Sequence, residues 1–378
     1  MSEIWFWQRI ISPHIAGLAV ALARRGCKVT YVAEQAMSGD RANQGWAVPR
    51  TVGVDLVYAD SRMAVKALVN AAPPGAAHIC QGIRANGLVG YAQHLLGLNG
   101  AQQWVLMETV NDAIWYGGFK RAEYRRLFHK HAASLQGVLA CGHRTPNWVV
   151  ECGLPPAMVF PFAYFLHDNN LTSALQQRGP WPFRFVFAGQ LILRKRVDWL
   201  INTLASITDW AFDLHIIGTG PAEPALRALA AQRLSLPVTW LGQLPMNEVR
   251  VVMAQADCLV LPSVHDGWGA VASEALMTGT PVICSDSCGV AGVVKDSGVG
   301  GVFPVKDEFA LGQLLVAQLA RGAVQSTTRR QVADWAACLG AAAGAAYLQE
   351  ILTYKHNKGQ SERPVPPWKT EKPLCVDL

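Results

Sequence analysis

Short apolar runs recur along the chain, and stretches with helical spacing of apolar positions separate them. This alternation predicts parallel α/β sheets, because joining two parallel strands takes a crossover that is usually a helix. In the first half, the runs at 4–8, 28–33, 54–59, 77–81, 104–108 and 137–141 read as strands. In the second half they fall at 183–188, 214–217, 238–241, 258–261, 281–284 and 301–305. Each of the second set but the last is followed by Gly, Pro, Ser or Asp and then by a helix. A helix from His14 to Arg25 lies between the first two strands and stops at Gly26.

The pattern breaks at 167–182, where polar residues and a GPWP turn mark a join. We therefore expect one Rossmann-like domain at 1–170 and a second at 171–345, followed by a helix end and tail at 346–378. A long helical region is expected from about Thr328 to Lys355, and the proline- and charge-rich tail from Gly359 to Leu378 is expected to be extended or poorly ordered. Two doubly wound sheets of this kind carry their ligand crevices at the carboxyl ends of the strands, and are expected to face each other across a cleft.

At 378 residues there is room for two cores, and 51% apolar with 16% charged residues fits a soluble globular protein. No run approaches the roughly 18 uncharged apolar residues of a spanning helix. MSEIWFW lacks the basic stretch that opens a signal peptide, and nine scattered cysteines without CxxC pairs point to reduced thiols in a cytoplasmic protein. The net charge of +6 suits an anionic substrate or an anionic membrane face without proving either. That charge concentrates in FKRAEYRRLFHKH, where Lys120, Arg121, Arg125, Arg126 and Lys130 oppose Glu123, with Phe119, Leu127 and Phe128 as an apolar side. One reading is a basic amphipathic helix peripheral to the inner face of the membrane; the other is a solvated helix face.

The candidate chemistry centres on HDGWGAVASEALMTGTPVICSD, residues 265–286. Asp266 and Glu274 stand eight positions apart, with Gly267 and Gly269 flanking Trp268 between them. A loop entering a helix N-terminus offers unpaired N–H groups to an anion, and the glycines admit a ligand close to the backbone. Acids on either side suit hydroxyls flanking a phosphate, the chemistry of a nucleotide sugar. The plainer alternative is a turn, with Asp266 as a helix cap and Glu274 solvated.

These residues resemble the retaining glycosyltransferases of family 4, which have the GT-B fold of two Rossmann-like domains. FAGQLILRKRVDWL, IIGTGP, WLGQLPMNEV and LPSVHDGWG with its later Glu carry the resemblance, which is strong over 183–305 and weaker before. By that resemblance Lys195 holds the donor diphosphate, and Asp266, Gly267, Trp268 and Gly269 lie beside the donor sugar. Glu274 would take the ribose hydroxyls. The loops of Gly189, Gln190 and Arg194, of Gly218, and of Leu241 and Gly242 complete the donor side. His14 looks like the histidine that often opens the family's first helix, and Glu108, ending an apolar strand, is a candidate to orient hydroxyls. As a loop glutamate or helix cap, Glu108 would do neither.

Some departures from the family stand out. Gln190 replaces the common arginine, Asp266 replaces the usual glutamate, and QRIISPH replaces a glycine pair after strand one. WVLMETVND has no counterpart to the family's later histidine, and FPFAYF stands where the family has Asn-Gly. The absence of an Asp-x-Asp pair or a His/Cys cluster argues against a metal-dependent enzyme. The activity the resemblance implies is sugar transfer to an acceptor hydroxyl with retention, with a lipid-linked glycan of bacterial surface polysaccharide or lipopolysaccharide assembly as the expected acceptor. A non-catalytic partner that keeps nucleotide binding is an alternative. A nicotinamide-dependent oxidoreductase is another, but it predicts a GxGxxG that WFWQRIISPH lacks and GTGPAE leaves incomplete.

Overall fold

The computed structural model describes residues 2–42, 45–84, 86–112, 117–167, 182–236, 238–357 and 360–374. The chain divides into two compact units. The first comprises 1–42, 47–168 and 340–367, and the second comprises 43–46, 169–339 and 368–378. Most of the expected join, 168–181, lies outside the described residues.

The first unit is a seven-stranded parallel sheet of β1 (Glu3–Ile10), β2 (Lys28–Gln35), β3 (Asp55–Tyr58), β4 (Ala77–Gln81), β5 (Gln103–Met107), β6 (Leu135–Cys141) and β7 (Val159–Phe162), ordered β3-β2-β1-β4-β5-β6-β7. Strand β7 goes beyond the sequence expectation. Its VFPF core contains a proline, which removes a ladder N–H and is tolerated only at an edge, and β7 is the edge strand. At the centre, Trp7 Nε1 donates to Nδ1 of the buried His78 at 3.1 Å. Burial lowers the His78 pKa to about 4.

The second unit is a six-stranded parallel sheet of β8 (Phe183–Ala188), β9 (Phe212–Ile217), β10 (Val238–Gly242), β11 (Cys258–Leu261), β12 (Val282–Ser285) and β13 (Gly300–Phe303), ordered β10-β9-β8-β11-β12-β13. Strands β11 and β12 are wholly buried, which explains why they read as continuous apolar runs and not as alternating ones. In both sheets the order reverses beside the first strand, at β1/β4 and at β8/β11, the position at which such sheets open a crevice.

The region expected to be helical from about Thr328 to Lys355 is so, in three pieces: Ser326–Trp335, a 3₁₀ turn at Ala336–Leu339 and Ala341–His356. The last helix packs in the first unit, where a Cβ on Gly344 would lie 2.2 Å from Phe165 Cγ, so only glycine allows the approach. The tail is also packed, not extended throughout. Trp368, in the short helix Pro367–Thr370, is buried with its ring 6.5 Å from Trp268, Lys369 pairs with Asp296 at 2.8 Å, and Leu374 N donates to Ser297 O at 3.0 Å. One large aromatic gives this proline-rich stretch enough apolar area to hold it down.

Candidate functional site

In the second unit, the loops leaving β8, β9 and β10 are stitched together by their backbones. Gly189 N donates to Ile217 O at 3.0 Å, Leu191 N to Thr219 O at 2.9 Å, and Gly218 N to Gly242 O at 2.6 Å. Gly218, at φ +123°, sits so near that an added Cβ would be 2.0 Å from Gly189 O. Backbone therefore lines this edge, and side chains enter it only where the chain turns again.

Lys195 is the first to do so. It ends the 3₁₀ turn Leu193–Lys195, its Cε would be 3.7 Å from a Cβ on Gly189, and it is 7% exposed. Its Nζ forms a close ion pair with Asp266 Oδ2. Asp266 is thus a charge partner and not a helix cap; Gly269, at φ +88°, occupies the cap position of the helix Ala270–Met277. Further bonds fix this loop. Asp266 N donates to Ser287 O at 3.2 Å, Gly289 N to Asp266 O at 3.0 Å, and Arg194 Nη1 to His265 O at 2.9 Å. Gly289 lies against Gly267, where an added Cβ would meet Gly267 O at 2.1 Å. Arg196 turns elsewhere, to Asp198 at 2.6 Å and over the ring of Trp199 at 3.9 Å.

Glu274, on the helix Ala270–Met277, is buried and not solvated. It is held by Arg250 of the helix Met246–Ala254, with Arg250 Nη2 to Glu274 Oε1 at 3.2 Å. Burial raises the Glu274 carboxyl above its ordinary range, and Arg250 pulls it back down. Nothing in the local pattern marks Arg250, since a helix arginine 24 positions away looks like any surface charge.

The Trp268 side chain is 3% exposed, with its indole Nε1 bonded to Ser273 Oγ at 3.1 Å and its ring beside Trp368, so it is the backbone of this residue that faces the loop. An indole gains most by burying its ring with its N–H satisfied, and here it props the acid loop from behind. Gln190 and Leu241 stand half-buried where β8 and β10 end, beside Gly189 and Gly242.

In the first unit, His14 and Glu108 meet through a residue the sequence did not single out. Tyr164, two positions past β7, stacks on His14 with ring centroids 5.2 Å apart, and its hydroxyl donates to Glu108 Oε1. Burial and the neighbouring Glu108 carboxylate raise the Tyr164 pKa well above its ordinary value, so it stays a donor. The three come from the ends of β1, β5 and β7, which the parallel sheet places at one edge. The QRIISPH loop is pinned by Tyr31, whose hydroxyl accepts from Ser12 N at 3.0 Å and donates to Ile10 O at 3.0 Å.

The basic segment forms the helix Gly117–His131, but its apolar side differs from the expectation. Phe128 is buried, and Tyr124 and Leu127 pack on the same core, leaving Phe119 exposed. Arg121 pairs with Asp112 at 2.7 Å and Glu151 at 2.6 Å, while Arg125, Arg126 and Lys130 are exposed. No helix among the described residues is long and apolar enough to cross a membrane. The eight cysteines among the described residues are free thiols, all buried.

A family described as Glycosyl transferases group 1 matches residues 182–320, which hold every donor-side loop described above. The 2-deoxystreptamine glucosyltransferase of Streptomyces kanamyceticus is 32% identical over 177 residues, or 46% of this chain and 42% of that one. The putative teichuronic acid biosynthesis glycosyltransferase TuaC of Bacillus subtilis is 35% identical over 195 residues, 50% of this chain and 48% of that one. The chain thus spans less than half the length of either relative. The solved Anabaena protein Alr3699/HepE in complex with UDP-glucose superposes with a TM-score of 0.67 at 14% identity, covering 93% of this chain and 100% of that one. The fold is GT-B. These likenesses give no support to a nicotinamide-dependent oxidoreductase.

Proposed function

We propose that this chain is a glycosyltransferase that moves a sugar from a nucleotide donor to an acceptor hydroxyl, with retention and without a metal. The observation that carries the reading is the pair of buried ion pairs, Lys195–Asp266 and Arg250–Glu274, set beside glycine-bordered strand ends. Leaving of a nucleoside diphosphate builds negative charge on phosphate oxygens, and a preorganised cation with aimed N–H groups stabilises it without reorganisation. Lys195 supplies the cation, with Arg194 nearby, and the loops of Gly189, Gly218 and Gly267–Gly269 supply backbone approach. Glu274 accepts from the ribose hydroxyls.

In the transfer, the acceptor oxygen bonds to the anomeric carbon on the face from which the phosphate oxygen departs. The acceptor's proton goes to that phosphate oxygen. His14, Tyr164 and Glu108 orient acceptor hydroxyls, with Glu108 as the accepting carboxylate. The naming of TuaC for teichuronic acid biosynthesis supports a role in bacterial surface polysaccharide assembly, and the acceptor proposed for that role is a lipid-linked glycan. The buried free thiols suit the cytoplasm, and Arg125, Arg126 and Lys130 offer contacts to anionic lipid.

The test is nucleoside diphosphate release from UDP-, GDP- and ADP-glucose, with the product anomer read by proton NMR. Release that Lys195→Ala lowers about 10²- to 10³-fold supports the reading. No release from any donor, with or without simple glycoside acceptors, counts against it. For the membrane contact, flotation with anionic vesicles that is unchanged in Arg125→Ala/Arg126→Ala would discard that part.

A further inference from the structure

Arg250 does more than neutralise a buried acid. Glu274 uses Oε1 for Arg250, and the described residues offer Oε2 no donor. Among the described residues, Glu274 is also the only carboxylate that Arg250 pairs with. The two side chains are 14% and 9% exposed, so the guanidinium is locked against one carboxylate and is not sampling solvent. The single Nη2–H bond restrains one carboxylate oxygen and leaves the other available to accept.

We propose that Arg250 is a positioning residue for the nucleotide, holding Oε1 of Glu274 so that Oε2 meets the vicinal hydroxyls of the ribose. This rests on the donor reading of Glu274 given above. The groups around the acid fit the role. On the helix Ser326–Trp335 packed beside it, Arg329 is committed to Thr280 Oγ1 at 3.1 Å, Ala256 O at 2.9 Å and Asp257 at 3.6 Å. Strands β11 and β12 bring Cys258 and Cys284, both buried thiols whose pKa is raised. Arg250 is therefore the cation that acts on Glu274, and burial alone would favour the protonated acid. Protonation would turn one of the Glu274 oxygens into an O–H donor and remove the charge that strengthens its bond to Arg250.

The experiment measures UDP, GDP and ADP binding by calorimetry at pH 8 and pH 5.5 in wild type, Arg250→Gln, Arg250→Lys, Glu274→Gln and the double Arg250→Gln/Glu274→Gln. The proposal predicts that Arg250→Gln weakens binding about tenfold at pH 8 and further at pH 5.5, with partial recovery in Arg250→Lys. The double variant should bind no worse than Glu274→Gln. Equal binding by wild type and Arg250→Gln at both pH values overturns the proposal, and so do additive losses in the double, since Arg250 would then act independently. A ligand-free check is the ¹³C-carboxylate titration of Glu274, whose midpoint should rise in Arg250→Gln; an unchanged midpoint also overturns it. If Glu274→Gln binds as wild type does, or wild type binds none of the three, the donor reading itself fails, and the titration still reports separately on the pair.

Discussion

At the scale of single residues, the account turns on charges taken out of water. Lys195 and Asp266 hold each other in the second unit, and removing one leaves the other uncompensated at a cost of about 3–5 kcal/mol. We expect Lys195→Met to lose both stability and donor turnover. Adding Asp266→Asn should return most of the stability and none of the turnover, which paired denaturation curves and release assays would show. A second residue prediction concerns His78. Its folded pKa of about 4 lies below the ordinary 6.5, so between these values the unfolded chain binds more protons. Stability should therefore be full above about pH 6.5 and fall as the pH drops towards 4, by about 3 kcal/mol in all. Denaturant titrations from pH 7 to pH 4 should show this slope in wild type and a shallower one in His78→Gln.

The acids at 266 and 274 stood out because two glycines lie between them and a helix pattern follows. Arg250 and Tyr164 were not, because each reaches its partner only once distant elements pack, and neither carries a local signal. The burial of the Trp268 ring was not legible for a related reason: a tryptophan between glycines looks the same from the sequence whether its ring faces ligand or core.

At the scale of elements, parallel strands announce themselves as short apolar runs, and twelve of the thirteen strands among the described residues were placed that way. The exception, β7, carries a proline that argues against a strand until an edge position is known. The strand-end glycines make the next prediction. Gly218→Ala puts a methyl carbon against Gly189 O at a positive φ, and should cost about 1–3 kcal/mol and separate the loops after β8 and β9. Thermal melts and nucleotide titration of that variant should both fall; a variant that melts and binds as wild type would refute the close-approach argument.

At the scale of the whole molecule, the chain returns after its second sheet, since 340–367 belong to the first unit and 368–374 lie on the second. Neither return was visible in composition, which sees small residues, proline and charge and misses the Gly344–Phe165 approach that seats the first and the Trp368 ring that anchors the second. Trp368→Ala should destabilise the second unit by about 3 kcal/mol, as large aromatic truncations do. Hydrogen exchange should then rise around Trp268 and 291–297 and leave β1 to β7 protected.

The central claim is a nucleotide-sugar site on the second unit, and its most direct test is a thermal-shift panel of UDP, GDP, ADP, CMP and NAD on wild type and Glu274→Ala. A nucleoside diphosphate at 100 times its Kd stabilises by about 2.7 kcal/mol. The account predicts a clear rise in Tm with one nucleoside diphosphate, absent in Glu274→Ala. Stabilisation by NAD alone, or by a nucleoside diphosphate equally in both proteins, would contradict it.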